Sequence, residues 1–252
     1  MSERRAGAAV APVGGMGDAD AVVFFDDFAG GELDRSRWQV VTTGHVVNDE
    51  QQAYVDEPET VTITADGHLA LRARWRHGFT TPEGRRFDFV SGRIHTKEHF
   101  QFRYGHAAAR IKLPYGTGVW PAFWALGDGP WPTAGELDIL EYVGEPEWVS
   151  SAVHGPGYSG DAGIVNRRYF EPGTDAGDWH VYSVTWQPDR LEFAVDGRTN
   201  LRLTRPILDY HGGWVFDGEM FLVLNVALGG AYPYKVNGVT TPYHGLGADA
   251  VA

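Results

Sequence analysis

The sequence has no cysteine, so it forms no disulfides and carries no redox mark of its compartment. It also lacks any stretch approaching the roughly 20 apolar residues needed to cross a bilayer as a helix. There is no internal repeat, no low-complexity domain and no long helical period. Basic residues are in deficit: 21 Lys and Arg stand against 33 Asp and Glu, for a net charge of −12. That balance argues against nucleic acid and against an anionic membrane as partners. A neutral polysaccharide is compatible with it.

What is present suits one large all-β domain. Hydrophobic residues make up 43% of the 252 positions, enough for a core, and 33 Gly with 14 Pro indicate many turns. Short β-prone runs recur between turn signals, as expected of a sandwich. A first strand is expected over Val22–Phe25. Thr60–Thr64 and His68–Arg74 flank Asp66-Gly67, a strong hairpin signal. Gly92–Thr96, Gly105–Lys112, Trp120–Leu126, Trp148–His154, His180–Gln187, Leu191–Val195 and Phe221–Ala227 read as further strands. Pro188-Asp189-Arg190 and Asp196-Gly197 mark turns. Residues 1–21, rich in Ala and Gly, read as a disordered leader too broken for a signal-peptide core.

One hexapeptide stands out: Glu136-Leu137-Asp138-Ile139-Leu140-Glu141. Alternation along a strand puts Glu136 and Asp138 on one face. A regular strand would send Glu141 to the other face. A β-bulge at Ile139-Leu140 would absorb one residue and return Glu141 to the acidic side. Glu136 and Glu141 would then lie roughly 13 Å apart at Cα. Side chains leaning together could bring the carboxyls to about 5–6 Å, close to the spacing of a retaining glycosidase. Asp138 between them could share a proton and push the pKa values apart. The same acids could instead form a solvated strand face or a divalent-cation site. The surroundings favour sugar chemistry. Trp120-Pro121-Ala122-Phe123-Trp124 and Trp131 lie just upstream, and aromatic faces suit the axial C–H faces of sugar rings.

Gly135-Glu136-Leu137-Asp138-Ile139-Leu140-Glu141-Tyr142-Val143-Gly144 resembles the signature of glycoside hydrolase family 16, in the bulged form of its laminarinase branch. Ser91-Gly92-Arg93-Ile94, Ala109-Arg110-Ile111-Lys112-Leu113-Pro114, Trp120-Pro121-Ala122-Phe123-Trp124 and Val153-His154-Gly155-Pro156-Gly157-Tyr158 follow in the family's order. The resemblance runs from Phe24 to Pro242. It implies a curved two-sheet β-sandwich (jelly roll) with an open concave cleft, and retaining endo-hydrolysis of β-1,3-glucan by an extracellular monomer. It makes Glu136 the nucleophile, Glu141 the acid/base and Asp138 an electrostatic helper. Asn48, Arg93, Trp120, Trp124, Trp131, His154 and Asn225 become substrate-binding candidates, with His154 close to the acid/base residue.

No cofactor is needed for this chemistry. A structural calcium is implied at Asp27, where the family's usual residue is Glu. After Ala227 no β-rich run follows, so the domain, residues 22–252, is expected to lack the family's closing strand and the Asp it carries. Other readings are a β-glucan-binding protein without catalysis, and a hydrolase of another polysaccharide such as mixed-linkage β-glucan. All three acids are retained, which favours the enzyme.

Overall fold

Period-two patterning becomes sixteen strands in the computed structural model, which describes residues 21–239. In chain order they are β1 Gln39–Val40, β2 Gln52–Tyr54, β3 Val61–Ile63, β4 Leu69–Leu71, β5 Arg74–Thr80, β6 Arg86–Ser91, β7 Arg93–His95 and β8 Gly105–Ile111. Then come β9 Val119–Gly127, β10 Glu136–Glu141, β11 Trp148–His154, β12 Ile164–Tyr169, β13 His180–Gln187, β14 Arg190–Val195, β15 Arg198–Thr204 and β16 Met220–Leu228. Two short helices, α1 Arg205–His211 and α2 Ala231–Asn237, follow β15 and β16.

The strands form a seven-stranded sheet ordered β1-β7-β16-β9-β10-β11-β12 and a four-stranded sheet ordered β15-β14-β13-β8. Smaller sheets, β2-β6-β5 and β3-β4, complete the set. The two larger sheets share one core. Phe123, Ala125, Leu137, Ile139, Leu140, Val149 and Val153 from the first meet Tyr182, Val184, Trp186, Leu191, Phe193 and Leu203 from the second. Every one of these is buried, so one face of each sheet is apolar and the other is free for function.

The expected hairpins form. Ile63 pairs with Leu69 across Asp66-Gly67, and Gln187 pairs with Arg190 across Pro188-Asp189. At Asp196-Gly197 both residues take positive φ, 50° and 72°, the backbone of a tight two-residue hairpin turn. One expected strand is absent. Among the described residues Val22–Phe25 joins no strand ladder, and Val22, Val23 and Phe25 are exposed. Only Phe24 is used, stacked on Phe100 and edge-on to Trp38. One side chain of the apolar run is packed, and among the described residues there is no ladder for its backbone to join. The expected leader and missing closing strand fall almost wholly on residues 1–20 and 240–252, outside the described residues. The part of the tail that is described, from Ala231 to Asn237, is helix α2.

The bulge forms where the apolar pair demanded it. Against β9, Asp138 pairs with Trp124 and Leu140 with Phe123, so two steps along β10 match one along β9. Ile139 is the inserted residue, and it and Leu140 are both in the core. Ile139→Ala should cost about 2–4 kcal/mol in urea unfolding by opening a core cavity. A loss below about 1 kcal/mol would mean that the inserted residue is not held by packing.

Candidate active site

Strand β9 alternates strictly. Val119, Pro121, Phe123 and Ala125 are buried, while Trp120, Ala122, Trp124 and Leu126 face outward and are partly exposed. The ladder carries this outward face to the acids. Glu136 lies across from Leu126, Asp138 from Trp124 and Glu141 from Ala122. Cross-strand partners share a face, so all three carboxylates project from the side away from the core. On the neighbouring strand, β11, Glu136 faces His154, Asp138 faces Ala152 and Glu141 faces Ser150. The row through Glu141 continues to Asn225 and Arg93 on one side and to Arg167 on the other.

Tryptophan N–H groups hold the acids. Trp131 Nε1 donates to Glu136 at 2.6 Å and Trp120 Nε1 donates to Glu141 at 3.0 Å. His154 Nε2 stands 3.3 Å from Asp138 Oδ2. A Cβ on Gly163 would come within 2.3 Å of the His154 ring, so glycine there lets the chain lie against the imidazole. Asp138 is 3% exposed and Glu141 9%. Burial pushes the Glu136 carboxyl up to about 8, and the Asp138 charge adds to the effect. Burial pushes Glu141 up to about 7, opposed by the hydrogen bond from Trp120. Asp138 is raised well above its ordinary value by burial and by the charge of Glu141. Burial and crowding in a low-dielectric site therefore make all three carboxyls hold protons more tightly than free ones. The set can present a carboxylate beside a protonated acid, as displacement with leaving-group protonation requires.

A second polar group adjoins the acids. Trp124 Nε1 donates to Asn225 Oδ1 at 2.7 Å, and Asn225 Nδ2 donates to the Tyr54 hydroxyl at 3.1 Å. The Arg93 guanidinium lies over Trp124 at 5.0 Å and over Tyr54 at 5.8 Å. Asn48 takes a left-handed φ of 53°, and its carbonyl accepts the Ala231 N–H at 2.7 Å. That contact ties its loop to the start of α2 beside Trp120.

The structure thus gathers Glu136, Asp138, Glu141, Trp120, Trp124, Trp131, His154, Arg93 and Asn225, with Asn48 at the margin. Asp27 stands apart. Its carboxylate accepts the Ala29 N–H at 3.1 Å, and among the described residues no three His, Asp or Glu side chains are placed to hold a metal ion. A lone turn-capping carboxylate does not fit calcium, which takes about six to eight oxygen ligands. Sequence reasoning missed Tyr232, which meets Trp120 edge-on at 5.7 Å and reaches Ser150 Oγ at 3.1 Å. Nothing local marks it, because helix α2 alone brings it there. It also passed over Glu50 and Tyr54, although both stand with Asn48 in one polar stretch.

Comparison with known proteins bears on this geometry. The family model described as "Glycosyl hydrolases family 16" matches residues 36–213. The chain is 32% identical to "Glucan endo-1,3-beta-glucosidase A1" of Niallia circulans over 84% of its own length and 34% of the relative's. It therefore spans about a third of that protein. It is 33% identical to a "Beta-glucanase" of Rhodothermus marinus, covering 84% of this chain and 76% of the relative. Among solved structures, the catalytic domain of an endo-1,3-beta-glucanase (laminarinase) from Thermotoga petrophila RKU-1 superposes with a TM-score of 0.79 at 34% identity. That match covers 84% of this chain and 88% of the other.

The acids carry a stability cost with a definite pH dependence. Folding raises Glu141 from an ordinary 4.5 to about 7, so the folded state binds more protons than the unfolded state in between. Stability from this group is therefore lost as pH rises through that window. Glu141→Gln keeps the acceptor for Trp120 and removes the charge. It should melt higher than the parent at pH 8, by on the order of 5 °C for about 2–3 kcal/mol. The gap should close by about pH 4.5. An equal gap at both pH values in calorimetry would refute a buried, proton-retaining Glu141.

Proposed function

The chain belongs to glycoside hydrolase family 16, and from that premise we propose that it hydrolyses β-1,3-glucan within the polymer, retaining the anomeric configuration, as an extracellular enzyme. The observation that carries the reading is the bulge in β10, which sets three acids on one face beside two tryptophan N–H donors.

Glu136 acts as nucleophile. Its carboxylate forms when the proton of the acidic set rests on Asp138, with the Trp131 N–H supporting the charge. It attacks the anomeric carbon while the bond to the leaving sugar's oxygen breaks. Glu141, protonated near neutrality by its burial, gives its proton to that oxygen. The departing sugar leaves a glycosyl ester on Glu136. Glu141, now a carboxylate, takes a proton from water, and the water oxygen attacks the same carbon from the face the first sugar left. Two inversions restore the starting configuration, and both acids return to their initial states. Asp138 lowers the cost of moving charge between the glutamates by sharing a proton with Glu136.

Sugar rings on either side of the scissile bond rest against Trp120, Trp124 and Trp131, with Arg93, Asn225, Asn48 and His154 supplying polar contacts. Indole faces give sequence-tolerant apolar contact and their N–H groups keep the acids aimed.

Laminarin digestion followed by NMR of the newborn reducing ends should show β-anomers first. Glu136→Ala should lose at least 10³-fold in kcat, and azide should restore turnover with an α-glycosyl azide product. Glu141→Ala should retain activity on aryl glycosides with good leaving groups, because those need little protonation. Azide rescue with inversion in the Glu141 variant instead would exchange the two roles.

A further inference from the structure

A half-buried carboxyl outside the acid triad has no part in the chemistry above. Glu50 follows two residues in left-handed backbone, Asn48 at φ 53° and Asp49 at φ 59°. Its own backbone bridges Gly229, just past β16. Its Oε2 accepts the Gln52 side-chain N–H at 2.8 Å and the Tyr54 hydroxyl at 3.4 Å. Gln52 in turn accepts the Leu228 N–H at 2.7 Å, locking this stretch to β16. Burial raises the Glu50 carboxyl above its ordinary range, against opposing contributions from Gln52, Arg93, Tyr54 and Asn48.

The direction of every hydrogen bond from Glu50 to the cleft follows from donor inventory. An ionised carboxylate only accepts, and an indole N–H only donates. Tyr54 has one proton and gives it to Glu50, so its oxygen is left to accept from Asn225. Asn225 must then present Nδ2 to Tyr54 and Oδ1 to Trp124, as it does. Reversal at any link would set donor against donor or acceptor against acceptor. The Trp124 N–H at one end and the Glu50 carboxylate at the other thus hold the same amide orientation of Asn225, and Glu50 anchors the Tyr54 end of the line. It also faces Arg93. Among the described residues no carboxylate lies within ion-pair distance of that guanidinium, and its Nε is buried without a hydrogen-bond partner. Arg93 is therefore held by the Tyr54 and Trp124 rings and by the Glu50 charge, on the row that leads to Glu141.

We propose that Glu50 is a positioning residue for substrate recognition, orienting Asn225, Trp124 and Arg93 so that they bind a glucosyl unit on the β7–β16 side of the scissile bond. The inference rests on the reading of the cleft as a β-glucan site. Glu50 touches no reacting atom, and its loss acts on binding.

The test compares the parent, Glu50→Gln, Tyr54→Phe and the double variant on laminarin and on laminari-oligosaccharides of increasing length. Each single change should raise KM about tenfold, equivalent to about 1.4 kcal/mol, with kcat within about twofold. The double variant should resemble the singles, since both cut one chain of hydrogen bonds. In ¹⁵N-tryptophan spectra without substrate, each change should also move the Trp124 indole N–H resonance, assigned with Trp124→Phe. Melting temperatures within a few degrees of the parent establish that the variants are folded. A fall in kcat at constant KM, multiplicative effects in the double variant or an unmoved Trp124 resonance would overturn the proposal. Should the parent itself leave laminarin intact, the functional reading fails first, a result distinct from an active parent with unaffected variants.

Discussion

Everything at the site depends on one bulge in one strand. Without a bulge at Ile139, the regular pleat of the same six residues would turn Glu141 into the apolar core, where an unpaired carboxylate is strongly disfavoured. With it, two successive aliphatics enter the core and the third acid rejoins the first two. The core gains apolar burial and the outer face gains a carboxylate from the same local distortion. Packing and chemistry are therefore satisfied by a single backbone irregularity.

Around the acids, tryptophan serves two ends. The β9 alternation turns Trp120 and Trp124 outward, where their rings offer flat apolar surface. Their N–H groups point the other way in purpose: Trp120 to Glu141, Trp124 to Asn225, with Trp131 to Glu136. A donor on a rigid bicyclic ring aims a carboxylate with little loss of side-chain entropy. Removing such a ring would alter both the sugar platform and the acid's orientation, so stacking and positioning are coupled at these residues.

The arrangement sets function against stability. Crowding three carboxyls into a poorly solvated row raises their pKa values, which is a folding penalty at neutral pH and a chemical advantage for a proton donor. The large shared core between the two main sheets supplies the stability that tolerates it. The same logic extends to Glu50, a partly buried acid kept beside Arg93 and a string of aligned hydrogen bonds.

Much of this was legible in the chain. The alternation of the strands, the Asp-Gly turns and the acidic hexapeptide with its broken alternation all follow from local rules of side-chain direction and turn geometry. So does the bulge, because an adjacent Ile-Leu pair amid alternating acids has few other solutions. The expected strand at Val22–Phe25 failed, since four apolar residues cannot say whether a ladder partner awaits them. Tyr232 and the line from Glu50 to Trp124 were invisible for the same reason. Their partners lie far along the chain: 171 positions separate Asn225 from Tyr54 and 82 separate Tyr232 from Ser150. Sequence by itself determined which residues share a strand face, because that is set by period two along a few residues. Only the tertiary structure decided which strands lie side by side, and hence which polar groups meet, because strand order and long-range hydrogen bonds depend on the packing of the whole sandwich.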